Sequence, residues 1–589
     1  MPQEPVDQIV ETDVLVIGGA IAGPRAAIEA KRHGARVFMV VKGIYGSSGC
    51  SLSPSTANST GPWTDPKKDS VDRHFRNIVI DSRQFMCDQE LAKIQAQEGG
   101  ERLVELERWG MVWDRDAEGK ISIFPSGKLF PGMAVVDRWI TFSRNGTRAV
   151  GPFWTGHGTV DILRDQVNRD EIPFIDEAIV SDVLVTDNMV TGALAYDYFN
   201  CKTLMIKCST VVIASGDYAQ VYYPHTMVSG ESSGDGFALA YEAGAQLVNV
   251  EMFEYIHLHF AYPDSARGKA VLETPSESGE MAYIRNSVGD RFMERYNPNA
   301  KELSPMSDVA LAILQEAKEG RGGPHGGAFL DFRHIPPSIV KKSVPGRFEV
   351  FEKLGFDIRK DLIEVYPSVH TTSGGIRINP ECHTRVRGLF AAGQVAFAIG
   401  DSMIEGATGI VDALIWGKRA GEFAAAYSHS NNRLEPNLAD LQEKVRLMKA
   451  PLESKSGIPP IKIMRRLQRA MWDGAGIVKS EQSLHKALEV LGDIRKSMVD
   501  QMSTKTKTGI FNHEMREAIE VRHMLTTSEA IVRSSLTRKE SRNRFHRSDY
   551  PRQDDEHWLR FVIAEKTREG MKITTEPIEF PYIKPGVSP

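Results

Sequence analysis

The sequence predicts an α/β fold built on a discontinuous, Rossmann-like dinucleotide-binding domain, with a helical region toward the C-terminus. Three observations predict it. A strand, a glycine-rich turn, a helix and a second strand follow one another near the N-terminus. Two further short apolar strands ending in glycine recur far along the chain. Beyond residue 438 the apolar residues take helical spacing.

The first strand is the β-branched run Asp13-Val-Leu-Val-Ile17, and the turn is Gly18-Gly19-Ala20-Ile21-Ala22-Gly23. A helix-like stretch from Pro24 to His33 leads into a strand from Arg36 to Val41, which completes a βαβ unit. Gly18 permits the tight turn, Ala20 is small enough for the backbone to approach a pyrophosphate, and Gly23 lets helix and strand pack closely. The helix N-terminal amides then face the phosphates. Ala20 departs from the strict G-x-G-x-x-G pattern. Val41-Lys42 closes the second strand where many such folds place an acid for the ribose hydroxyl, so no ribose-binding carboxylate is assigned. Val211-Val-Ile-Ala214-Ser215-Gly216 and Gly388-Leu-Phe-Ala-Ala-Gly393 return small residues to the same face. Three strands separated by long insertions describe a discontinuous FAD domain, which a compact NAD domain does not require.

With 589 residues, 41% of them hydrophobic, the chain has material for several cores. The 72 basic side chains are balanced by 77 acidic ones without long runs of one sign, which argues against a nucleic-acid partner. The acidic N-terminus has no signal-like apolar core, and no stretch approaches the roughly 18 apolar residues that span a bilayer. A cytoplasmic protein, touching a membrane only through a partner, is expected. Cys50, Cys87, Cys201, Cys208 and Cys382 are scattered without C-x-x-C spacing, so no metal or iron–sulfur site of the chain's own is expected. Leu438–Leu447, Ile461–Met471 and Leu484–Met498 carry apolar residues at i, i+3, i+4 and i+7, as in a packed helical bundle.

Over nearly its whole length the sequence resembles the flavoprotein family of succinate dehydrogenase, fumarate reductase, L-aspartate oxidase and adenylylsulfate reductase. The resemblance rests on Thr155-Gly-His157, Ser233-Gly-Asp-Gly236 with Ala243-Gly-Ala245, Asp290-Arg-Phe-Met-Glu-Arg295, Gly322-Gly-Pro324 before Leu330-Asp331, His370 to Gly375, and Arg538-Lys-Glu-Ser-Arg542 leading to Asp549-Tyr-Pro551. It implies an FAD domain over 1–248 and 356–432, an inserted α+β capping domain over 249–355, a helical domain over 433–545 and a small C-terminal segment over 546–589. An iron–sulfur electron-transfer subunit is the partner it implies. Whether the chain forms a homo-oligomer is left open.

The resemblance adds Asp235, Gln394, Thr408, Gly409 and Ile410 to the cofactor contacts. It makes His259 a candidate substrate clamp, with His257 on the same strand face, and His370 a candidate for binding or polarising substrate beside the flavin. Relatives that bond FAD covalently carry a histidine where this chain has Gly49, within Lys42-Gly-Ile-Tyr-Gly-Ser47-Ser48-Gly49-Cys50. FAD is therefore expected to bind noncovalently in a loop of small hydroxyl residues.

Two departures bear on the substrate. Relatives that interconvert succinate and fumarate carry an arginine where this chain reads Ser304-Pro-Met-Ser-Asp308-Val309, and a second where it reads Asp401-Ser-Met-Ile-Glu405-Gly-Ala-Thr408-Gly. An arginine partner for a buried carboxylate is worth several kcal/mol, so succinate or fumarate turnover is not expected. Glu405 in the site would favour a cationic or neutral hydrogen-bonding substrate. The leading expectation is a catalytic flavoprotein subunit that oxidises or reduces a small organic molecule. The alternatives are an adenylylsulfate reductase-like protein, reacting through a flavin–sulfite adduct, and an electron-transfer flavoprotein with no substrate of its own.

Overall fold

The computed structural model describes residues 6–54, 56–124, 139–141, 155–398, 408–507 and 510–586. Its centre is a five-stranded parallel sheet in the order Leu389–Ala391, Thr210–Ile213, Val14–Ile17, Val37–Val40, Phe174–Ile175. The first three of these strands are buried throughout, as expected for apolar strands covered on both faces. The helix Ala22–Arg32 packs against the long helix Gly409–Ser430. Gly417 and Gly421 of the latter lie so close to the Ala22 and Ala26 carbonyls that a Cβ at either position would collide with them. A second sheet joins Gln8–Glu11 to the meander Ala178–Thr186, Met189–Asp197, Lys202–Lys207.

The insertion carries its own four-stranded antiparallel sheet, Phe253–Phe260, Ile363–Thr372, Ala328–Asp331, Tyr283–Arg285, backed by the helix Met306–Lys318. Its separate core includes Phe260, Ile284, Ile313, Leu330 and Val365. The strand Ile363–Thr372 belongs to this sheet, so the cap sheet draws on chain beyond residue 355. Four helices follow: Leu438–Glu453, Pro460–Ala475, Glu481–Ser497 and His513–Thr537. The C-terminal hairpin Arg560–Thr567/Gly570–Pro577 is stitched into a sheet with Leu247–Val248, Gly375–Arg377 and Ala396–Phe397. It therefore ties the end of the chain to both borders of the insertion. Among the described residues no helix is long and apolar enough to cross a membrane.

A buried charge network holds this junction. The fully buried Arg538 donates to Glu251 Oε1 at 2.7 Å, Glu540 Oε1 at 3.1 Å, Asn249 Oδ1 at 3.2 Å and the Arg560 carbonyl at 3.1 Å. Arg542 grips the same Glu540 with two hydrogen bonds of 2.9 Å. Removing one member strands the others without a partner, at a cost of about 3–5 kcal/mol. Arg538→Met is expected to lower unfolding stability by that amount in denaturant titrations, and a loss under about 1 kcal/mol would show that the network does not hold the junction.

Candidate functional site

A cavity of about 790 Å³ opens at the C-terminal ends of the parallel strands. Gly18 sits at φ +124°, and a Cβ there would run into the Ala214 carbonyl, so the turn and the third strand touch through bare backbone. Gly23 lies equally close to the Gly18 carbonyl. Gly18, Gly19, Ala20 and Ala22 line the cavity, as do Lys42, Ser48, Gly49 and Cys50, then Ala214, Ser215, Gly216 and Asp235, and finally Gly393, Gln394, Gly409 and Ile410. Gly23, Ser47 and Thr408 stand outside the lining. A cavity lined by the glycine turn Gly18–Ala22 at the start of the helix Ala22–Arg32 suits a dinucleotide's pyrophosphate.

Lys42 is more than a strand end. Its ammonium donates to Asp235 Oδ2 at 2.5 Å and pairs with Glu520 Oε1 at 2.9 Å. His523 Nδ1 contacts Asp235 Oδ1 at 3.0 Å and its Nε2 contacts the Ser181 carbonyl at 3.1 Å. A ring whose two nitrogens face two acceptors donates from both, hence as imidazolium. Burial opposes the charge, but Asp235 raises the pKa of His523. Burial likewise works against the Asp235 carboxylate, yet Lys42 and His523 hold it well below the usual carboxylate range. Glu520 and His523 lie on the helix His513–Thr537, which local sequence around the glycine turn does not announce.

Asp217 also lines the cavity and is only 4% exposed. Burial pushes its carboxyl up to about 7, against hydrogen bonds from the Ala219 amide and Ser232. Ser232 reaches on to Cys50 Sγ at 3.3 Å. Burial raises the Cys50 thiol to about 12, which makes it a poor nucleophile.

The sheet of the insertion brings the candidate histidines together. Opposite the step from Glu254 to Tyr255 the partner strand moves from Thr371 to Val369, so His370 is the extra residue of a bulge. Between Ile256, paired with Ser368, and His259, paired with Tyr366, the extra residue lies on the other strand, at His257–Leu258. Bulges re-aim side chains, and this one breaks the face-sharing expected of His257 and His259. His370 lines the long cavity. His257 lines a neighbouring pocket of about 320 Å³. His259 is fully buried and lines neither. Burial, then the neighbouring His370 and His257, bring His259 down to about 3; burial and Arg544 do the same for His257. Both rings are neutral. Both nitrogens of His257 lack a hydrogen-bond partner among the described residues, and each unmade bond costs about 1–3 kcal/mol. His157 donates to the Leu52 carbonyl at 2.8 Å, pinning the loop that carries Ser48–Cys50. Glu405 lies outside the described residues.

The smaller pocket is walled by Asn249, Phe253, Glu254, Thr274, Ser373 and the run from Glu302 to Asp308. The stretch noted for its missing arginine is therefore a wall of this pocket. Two arginines that sequence reasoning did not single out, Arg83 and Arg544, line it from other segments. Arg544 stands two residues beyond the recognised Arg538–Arg542 motif, which was the one signal in the sequence.

A glycine cradle at the strand ends, a lysine-centred charge cluster and a neighbouring pocket fit an enzyme that holds a dinucleotide cofactor beside a second, smaller site. Residues 13–409 match the model of the FAD binding domain family, and residues 464–588 match the fumarate reductase flavoprotein C-terminal domain. The chain is 33% identical to one of the subunits of the fumarate reductase (CoM/CoB) of Methanothermobacter marburgensis, covering 95% of this chain and 98% of that one. It is 26% identical to the mitochondrial succinate dehydrogenase flavoprotein of Oryza sativa, over 96% of this chain and 90% of that one. The solved structure of Mycobacterium smegmatis Sdh1 in complex with UQ1 superposes with a TM-score of 0.87 at 29% identity, covering 98% and 96% of the two chains. The chain belongs to the fumarate reductase and succinate dehydrogenase flavoprotein family, and its cofactor is FAD.

Asp217 supplies a pH test. Its folded pKa of about 7 stands above the ordinary 3.8, so the folded chain keeps a proton that the unfolded chain loses. Stability thus declines as pH rises from about 4 to about 7. Asp217→Asn is expected to gain roughly 3 kcal/mol relative to the unaltered chain between pH 5 and pH 8 in denaturant unfolding. Parallel curves for the two proteins would rule out this burial penalty.

Proposed function

We propose that this chain is the catalytic flavoprotein of a complex in which FAD exchanges an electron pair with a small organic substrate other than succinate or fumarate, the electrons passing to an iron–sulfur partner subunit. The observation that carries this reading is His257. It is buried, neutral and without a hydrogen-bond partner among the described residues, on the wall of a 320 Å³ pocket one strand away from His370 in the cofactor cavity. Bound FAD supplies the hydride exchange. His257 offers one donor and one acceptor to orient a substrate. Asp308 borders the same pocket at its solvent side, and burial raises its carboxyl above the usual range, which suits a group that exchanges protons with solvent. The case against succinate and fumarate is that Pro305, Met306, Ser307 and Asp308 form the wall where those relatives carry an arginine.

A second reading, fumarate reduction as in the named activity of the Methanothermobacter relative, is supported by Arg83 and Arg544 on the pocket wall. Anaerobic titration of the FAD-loaded chain separates the two. Bleaching of the flavin band is expected with one member of a panel of carboxylates, amines, alcohols and thioesters, and not with succinate. Reoxidation of the reduced flavin by fumarate would favour the second reading. Silence across the panel, with dithionite reduction intact, would leave electron relay as the function.

A further inference from the structure

Arg544 stands at the tip of a tight turn. The amides and carbonyls of Arg542 and Phe545 bond reciprocally at 3.0 and 2.8 Å, and Asn543 takes the left-handed conformation at φ +51°. The buried Arg542–Glu540 pair roots this turn. Arg544 Nη1 donates to the Tyr255 carbonyl at 2.8 Å, which fixes the guanidinium against the strand that carries His257. It forms an ion pair with Glu254 Oε2 at 3.8 Å, too long for a hydrogen bond.

The pocket is lined by charges of both signs. Glu302 is committed to Arg291 by hydrogen bonds of 2.7 and 2.6 Å. The other charged residues on the described lining are Arg83, Arg544, Glu254 and Asp308. Such a wall suits a ligand with one negative head and a hydrogen-bond donor elsewhere. It suits a dianion poorly, because a second carboxylate would approach carboxyls.

Resting on the reading that this pocket receives the substrate, we propose that Arg544 and His257 grip the carboxylate of a small monocarboxylic acid whose hydroxyl or amino group faces Glu254 and Asp308. Arg544 offers paired N–H donors, a match for a carboxylate's two oxygens. His257 offers one more, with its proton on the nitrogen that faces the ligand.

Calorimetric titration of the FAD-loaded chain with lactate, lactamide, propionate and succinate tests this without requiring turnover. Lactate is expected to bind most tightly of the four. Arg544→Gln should weaken lactate about 10–100-fold while leaving lactamide unchanged, and Arg544→Lys should recover part of the loss. FAD content and melting temperature serve as folding controls, and His257→Gln, also expected to weaken lactate, gives an independent arm if the turn fails in the arginine variants. Equal binding of lactate and lactamide, tightest binding of succinate, unaltered lactate affinity in Arg544→Gln, or no lactate binding up to about 10 mM would each overturn the proposal. Lactate binding without any substrate-driven flavin reduction would uphold this inference while removing the catalytic reading. Reduction by an uncharged compound, with no carboxylate bound, would do the reverse.

Discussion

The register of three parallel strands constrains the rest of the molecule. Ile17, Ile213 and Ala391 lie level with one another, although long insertions separate them in the chain. Their following residues, Gly18, Ala214 and Ala392-Gly393, therefore meet at one edge of the sheet, where open α/β sheets form their crevice. The contact there is backbone on backbone, which leaves room for no Cβ at Gly18. Because the cap insertion leaves the sheet after Ile213 and returns before Leu389, it is rooted at this same edge. Its position over the cofactor cavity follows from where its ends are held.

What the sequence made legible was local. The βαβ unit, the later strands and the amphipathic helices each declare themselves through spacing within a dozen residues, and the corresponding elements form. The loop around Ser48–Cys50, expected from the family resemblance and not from spacing, lines the cavity. Contacts made across the chain were not legible. Lys42 looked like a strand end, because Glu520 and His523 approach it only after the helical domain folds back onto the nucleotide domain. Asp217 carries no sequence mark of its burial; its character comes from a setting that supplies hydrogen bonds and, among the described residues, no cation to offset desolvation.

The histidines show a finer limit. A strand with a strict period of two puts His257 and His259 on one face. Two bulges in the pair Phe253–Phe260/Ile363–Thr372 cancel that parity, each inserting one residue on a different strand. His370 is delivered to the cofactor cavity and His257 to the smaller pocket, while His259 stays in the interior between them. The second bulge lies opposite Pro367, which has no amide to give the ladder, whereas the first carries no glycine or proline and periodicity alone could not have located it. The same irregularity that frustrates the sequence reading delivers two imidazoles of one strand pair to two different cavities.

Charge placement at the pocket follows from the buried network at the C-terminal junction. Replacing buried ion pairs by apolar residues of similar volume is often neutral or stabilising, so stability alone is a weak reason to retain Arg538, Arg542, Glu251 and Glu540. Position is a stronger one. Glu540 holds Arg542, Arg542 closes the turn, and the turn holds Arg544 against the Tyr255 carbonyl beside His257. A guanidinium fixed in this way loses little rotamer freedom on meeting a planar partner, whereas an arginine on a mobile loop would lose most of it. The chain from Arg538 onward thereby does two jobs with one set of contacts, closing the sheet at the borders of the insertion and setting the direction from which positive charge enters the pocket.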